Sequence, residues 1–296
     1  MLEFIEKYSG FIGCTDDYEQ AQVVLAGAPM DFTVSFRPGA REGPRQIRQV
    51  SQGLEEYSID LDRDLAECCY YDAGDLVLPL GNVQESLCRI SLVTGEILRC
   101  GKLPLFLGGE HLISYAVIRE AVKVHPGLAV IHLDAHADLR DEYLGEHFSH
   151  ATVMRRVAEL IGGENLYQFG IRSGARDEFD FARNRTNIYL NRVVEPLAEN
   201  LPRLKGRPVY VTLDIDVVDP AYAPGTGTAE PGGCTAGEII RAVHLLGRLN
   251  LVGFDLVEVS PVYDPSQRTA LLGAKLVREV ILSARRPAGG SAKKPL

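Results

Sequence analysis

Asp134, His136 and Asp138 fall within the stretch "VIHLDAHADLR" (130–140), directly after an apolar run. In an extended chain, residues i, i+2 and i+4 point to one side, so the three begin on a common face as far as strand geometry persists. "LDID" repeats the pattern with Asp214 and Asp216, and "GGEH" ends another apolar run with His111. Together these give four carboxylates and two imidazoles at three run ends. Carboxylates gathered without cations repel one another, and some must take up protons. Bound metal removes that repulsion, and two ions sharing bridging aspartates account for four carboxylates better than one ion does. Oxygen and nitrogen donors without thiolate favour manganese, or another hard-to-borderline ion, over structural zinc. Each motif alone has an ordinary explanation as a hydrogen-bonded strand end, a cap or a solvated loop. Three such clusters after three buried runs do not read as independent accidents.

The elements that must position these residues are legible as alternating segments. Apolar runs at 22–29, 103–109, 128–136, 165–172, 207–216 and 251–261 read as strands. Between them, 84–100, 112–124, 151–162, 235–248 and 270–284 read as amphipathic helices. This alternation predicts βαβ units and a parallel sheet, with both faces covered by helices. Ligands of such sheets gather at the carboxyl ends of the strands, where His111, the aspartates and Glu258 in "DLVEVSP" all lie. His132 sits deeper in its apolar run and reads as a packed, hydrogen-bonded core histidine. His125 and His244 read as structural, and "PGTGTAEPGG" (224–233) as a shaped loop without the Lys-Ser/Thr ending of a phosphate loop. With no linker or internal repeat visible, residues 1–286 read as one domain. The Gly-, Pro- and Lys-rich end, taken as 287–296, reads as a disordered tail.

Composition narrows the partners. The chain of 296 residues is 46% hydrophobic and 24% charged, with a formal net charge of −9. That balance argues against nucleic acid and anionic membranes, which attract basic patches. It is compatible with a small cationic substrate. The six cysteines form no C-x-x-C pair and read as reduced thiols. "MLEFIEKYSGFIG" lacks the basic start and unbroken apolar run of a signal peptide, and no apolar run approaches the roughly 20 residues that span a bilayer. A cytoplasmic protein is expected.

The motifs also carry a family resemblance through nearly the whole chain. "GAPMDFTVSFRPGAREGPRQIR" (27–48), "GGEH", "DAHADLR", "SHAT" (149–152), "GIRSG" (170–174), "DIDVVDPAYAPGTGTAEPGG" (214–233) and "FDLVEVSP" (254–261) together resemble the ureohydrolases, the arginase–agmatinase superfamily. The resemblance implies a three-layer α/β/α sandwich with a mainly parallel central sheet and a centre of two Mn²⁺ per chain. It implies His111 and Asp138 on one ion, His136 and Asp216 on the other, and Asp134 and Asp214 bridging. Hydroxide formed there would attack a guanidinium carbon, releasing urea and an amine. Glu258 matches the glutamate that grips the guanidinium, a bidentate partner for that planar cation. His150 matches the proton-transfer histidine, and His147 reads as a loop residue. Trimers or hexamers are implied in the same way.

Within the family, the residues point to agmatine. "LRDEYLGEHF" (139–148) places Asp141, Glu142 and Glu146 where arginases carry small polar donors for an α-carboxylate. Ser173 and Ala175 stand where arginases tend to carry aspartates for the α-amino group. "GGEHLIS", "GIRSG" and "TGTAEPGG" resemble the agmatinase branch. The expectation is hydrolysis of agmatine to putrescine and urea. Guanidinobutyrate or arginine is the near alternative, a one-zinc deacetylase the different enzyme class, and a non-catalytic binding protein the third option.

Overall fold

The apolar runs fold as strands of one sheet, and the amphipathic stretches cover its two faces. The structure is a computed structural model that describes residues 3–6 and 9–284, so the expected tail lies outside the described residues. The strands in chain order are β1 (Ile5–Glu6), β2 (Val23–Ala28), β3 (Tyr57–Ser58), β4 (Arg63–Asp64), β5 (Tyr70–Leu76), β6 (Leu103–Gly108), β7 (Ala129–Leu133), β8 (Leu166–Ile171), β9 (Asn187–Leu190), β10 (Pro208–Asp214) and β11 (Asn250–Val257). The α-helices are α1 (Gly43–Ser51), α2 (Val83–Arg99), α3 (Ile113–Val124), α4 (Val153–Ile161), α5 (Arg176–Arg185), α6 (Val194–Leu204), α7 (Ala236–Leu246) and α8 (Arg268–Ala284).

Nine strands form the main sheet in the order β1-β5-β2-β6-β11-β10-β7-β8-β9. Every pairing is parallel except that of β1 with β5. Helices α2, α3 and α4 pack together, as do α1, α8, α7 and α6. Each group closes its own buried cluster, one containing Ile90, Val117 and Val157, the other Ile47, Val243 and Leu276. The result is the expected three-layer α/β/α sandwich. Strand β7 shows how the layers are fed. Ala129, Ile131 and Leu133 enter one cluster and Val130 the other, as the two-residue period requires.

Strands β5 and β9, the two-residue strands β1, β3 and β4, and helices α1, α5 and α6 were not among the expected elements. In β5 the sequence "YYDAGDL" carries two carboxylates that look out of place in a buried strand. Arg48 of α1 resolves this, with Nε 2.8 Å from Asp72 Oδ2 and Nη1 2.5 Å from Asp75 Oδ1. Burial therefore rests on a partner 24 and 27 residues away, which local patterning does not display. All six cysteines are free thiols.

Candidate metal centre and active site

His111 follows β6, Asp134 follows β7, Asp214 ends β10, and Glu258 follows β11. In the sheet these strands are consecutive neighbours, β6-β11-β10-β7, so four distant stretches of sequence meet at one edge. The local geometry differs from simple strand alternation. Strand β7 stops at Leu133, and Asp134 Oδ1 accepts the backbone N–H of His136 at 2.5 Å. Asp214 Oδ1 likewise accepts the N–H of Asp216 at 2.8 Å. Both are Asx turns, in which a short carboxylate side chain stands in for a backbone acceptor two residues on. Asp216 Oδ1 accepts the N–H of Ala135 at 3.0 Å, which ties the two turns together. Asp138 takes a left-handed φ of 53°. The cluster is thus built by turns that follow the strands.

The six expected ligands come together. His111 Nδ1 lies 3.0 Å from Asp134 Oδ2, 3.2 Å from Asp138 Oδ2 and 3.4 Å from Asp214 Oδ2. His136 Nδ1 lies 2.9 Å from Asp216 Oδ2 and 3.5 Å from Asp134 Oδ1. Asp134 therefore offers one oxygen toward each imidazole. The proton on His111 can be placed. Thr212 donates its hydroxyl to Asp255 at 2.6 Å, so it accepts from His111 Nε2 at 2.9 Å. In the neutral imidazole this leaves the lone pair on Nδ1, the nitrogen that faces the carboxylates and finds no hydrogen-bond partner of acceptable geometry among the described residues. A bare nitrogen facing three carboxylate oxygens in a buried site fits a divalent cation.

The titration of these groups points the same way. Burial opposes a charge on His111, yet Asp134, Asp138 and Asp214 outweigh it and hold the imidazole well above its usual range. For His136 burial again opposes the charge, and Asp216 and Asp134 push it up to about 12. Burial, then Asp216 and Asp134, drives Asp214 well above the ordinary carboxylate range. Without cations the cluster recruits protons in their place.

Glu258 and His150 share a cavity of about 230 Å³ with His111, His136, Asp138, Asp214 and Asp216. Glu258 has a left-handed φ of 62°. Its N–H donates to Gly109 O at 2.8 Å, and its Oε1 accepts the N–H of His111 at 2.8 Å. Burial pushes its carboxyl up to about 8, a penalty that a cationic guest relieves. His150 opens a short turn before α4, with its N–H donating to Thr33 Oγ1 at 3.0 Å. Its ring lies 3.5 Å from both Thr33 Oγ1 and Ser35 Oγ, and burial holds it below the usual imidazole range. His147 is exposed, its ring bonding the carbonyl of Asp141 and its own carbonyl accepting from the Thr152 hydroxyl. His125 ends α3, and His244 bonds Glu279 across α7 and α8 at 3.0 Å.

The loop over 139–148 behaves differently from its expected role. Asp141 pairs with Arg156 at 2.6 Å on the surface, and neither it nor Glu142 nor Glu146 lines the cavity. Beside the expected Asp138, Asp214, Asp216 and Glu258, the cavity is lined by one further carboxylate, Glu178, which sequence reasoning missed. It accepts the N–H groups of Leu139 at 2.9 Å and Ala175 at 2.7 Å, and Arg140 Nε stands 3.5 Å away. The available signal was Glu178 three residues after Ala175, the spacing that closes a helix N-terminus.

Residues 21–283 match the Arginase family. The chain is 54% identical to the agmatinase of Bacillus subtilis (strain 168) over 286 residues, covering 95% of this chain and 99% of that protein. It is 36% identical to the guanidinobutyrase of Pseudomonas aeruginosa, covering 90% and 87%. Among solved structures, the agmatine ureohydrolase of Thermoplasma volcanium superposes with a TM-score of 0.85 at 34% identity, over 95% of each chain. With its fold, its crowded strand ends and its similarity over nearly the full length all agreeing, the chain belongs to the arginase family.

Proposed function

We propose that this protein is an agmatinase that hydrolyses agmatine to putrescine and urea at a centre of two Mn²⁺. His111, Asp134, His136, Asp138, Asp214 and Asp216 would hold the metal. The reaction class is carried by the bare Nδ1 of His111 facing three carboxylate oxygens beside the buried Glu258. The choice of agmatine is supported by the similarity over 95% of the chain to the Bacillus protein. Bound divalent cations supply water activated to hydroxide near neutral pH.

The chain's own residues do the rest. Glu258 keeps Oε2 for the guanidinium, since Oε1 already holds the His111 N–H, and a planar cation suits that carboxylate. His150 delivers a proton to the leaving amine, so that water and agmatine balance putrescine and urea. The cavity lining carries Asp138, Glu178, Asp214, Asp216 and Glu258 against Arg140 as the single Lys or Arg side chain, which favours a cationic guest. Guanidinobutyrate is the second reading, because Arg140 could meet its carboxylate. Glu178 engages Arg140, however, and its guanidinium lies over the Tyr143 ring at 5.1 Å.

Urea release from agmatine, arginine and guanidinobutyrate at matched concentrations is the test. Agmatine should lead, and a tenfold preference for either acid overturns the assignment. The nine-stranded sheet with its two cores reads as one catalytic domain. Cytoplasmic residence remains part of this reading, and no helix among the described residues is long and apolar enough to cross a membrane. A homo-oligomer, trimer or hexamer, completes the reading and rests on the family resemblance alone.

A further inference from the structure

We propose that His132 is a positioning residue that aims the Asp134 carboxylate through a fixed N–H, and that Gln168 places its proton. The proposal rests on the metal-centre reading and is independent of which substrate is preferred. His132 is fully buried on β7, on the face opposite Ile131 and Leu133, and its Nε2 lies 2.7 Å from Asp134 Oδ2. By distance alone it could be a ligand, since it groups with His111, Asp134 and Asp138. Its other nitrogen decides the matter.

Gln168, fully buried on β8, has its amide nitrogen 2.8 Å from the carbonyl of Ala137, so that atom must be the donor. Thr186 donates to the amide oxygen at 3.2 Å, consistent with the same orientation. The amide's second hydrogen faces His132 Nδ1 at 3.1 Å. Nδ1 is therefore the acceptor and Nε2 carries the proton, which it donates to Asp134. A ligand would need a lone pair on Nε2. Moving the proton to Nδ1 would set two N–H groups against each other, and flipping the amide would set its oxygen against Ala137 O. With His132 on Oδ2 and the His136 N–H on Oδ1, the plane of Asp134 is set before any cation arrives. Such outer partners orient ligands and sharpen metal affinity.

The test measures Mn²⁺ binding to the full chain by isothermal titration, with stoichiometry by metal analysis and folding by the melting of the apo protein. His132→Phe keeps a ring but no donor and should bind Mn²⁺ roughly 10–100-fold more weakly, with two ions still held at saturation. His132→Gln restores an N–H donor near the Nε2 position and should recover most of that loss. Gln168→Met leaves His132 in place but frees its proton, and should weaken binding in the same direction. It decides the question if His132→Phe does not fold. Unchanged affinity in Gln168→Met and His132→Phe would overturn the proposal. So would the loss of one ion from His132→Phe, which would make His132 a ligand. A wrong substrate assignment would appear instead as urea release from another compound with Mn²⁺ binding intact.

Discussion

Two site residues other than glycine, Asp138 and Glu258, hold left-handed φ values of 53° and 62°. Such conformations cost roughly 1–3 kcal/mol each and persist where surrounding structure over-determines them. Here the surrounding structure is the end of β11 before Glu258 and the start of α4 against Asp138, whose carbonyl receives the N–H groups of Met154 and Arg155, and the strain lies where the carboxylates must turn inward. Asp134→Asn should lose metal and activity together, because a neutral amide cannot replace a bridging carboxylate. Metal analysis of the purified variant checks this. Glu258→Gln should retain both ions and lower kcat/KM roughly 100-fold or more, as loss of a buried charge-assisted contact does, and a fully active variant would remove Glu258 from guanidinium binding. At this scale the sequence was informative, because Asp134-x-His136 and Asp214-x-Asp216 carry their own turn geometry. Glu178 showed only its helix-capping spacing from Ala175, and its place in the cavity was not legible, since its burial depends on the N–H groups of Leu139 and Ala175 meeting across a loop.

Elements place those residues by close approach. A Cβ on Gly109 would stand 1.9 Å from the carbonyl oxygen of Met30, and the carbonyl of Gly109 receives the N–H of Glu258. Gly109→Ala should therefore lower stability by about 1–3 kcal/mol through overpacking, and lower activity further by shifting Glu258. Thermal melting and urea assays on one preparation separate the two losses. The α7–α8 contact offers a pH prediction. Burial opposes the charge on Glu279, but His244, Arg278 and Ser58 outweigh it and hold its carboxyl at about 2. An unfolded glutamate titrates near 4.3, so this contribution is present above that value and is lost as pH falls toward 2. Acid melts should show the gap between Glu279→Gln and the parent chain fully open above about pH 5 and closing as pH falls toward 2. The six expected strands and five expected helices formed within a few residues of their apolar runs. Strand β5 escaped notice because Asp72 and Asp75 look polar until Arg48 is brought to them.

For the whole molecule, alternating segments predicted a parallel sheet but could not order it. The order β6-β11-β10-β7 sets neighbours that are far apart in sequence, and hydrophobic runs carry no label naming their partners. His111 and Glu258, 147 residues apart, are joined by a hydrogen bond only because β6 pairs with β11. The binding-competent cluster therefore exists only after these four strands have found register. A cation that binds it has no matching site on the unfolded chain, and mass action then couples metal to folding. At free Mn²⁺ one hundred times its dissociation constant, the folded state should gain about 2.7 kcal/mol for each such site. Melting temperature should rise with added Mn²⁺ and fall again under chelation, while Asp134→Asn should melt at the same temperature in both. The strand order thus makes metal supply a determinant of how long the chain stays folded, separately from whether it can turn over substrate.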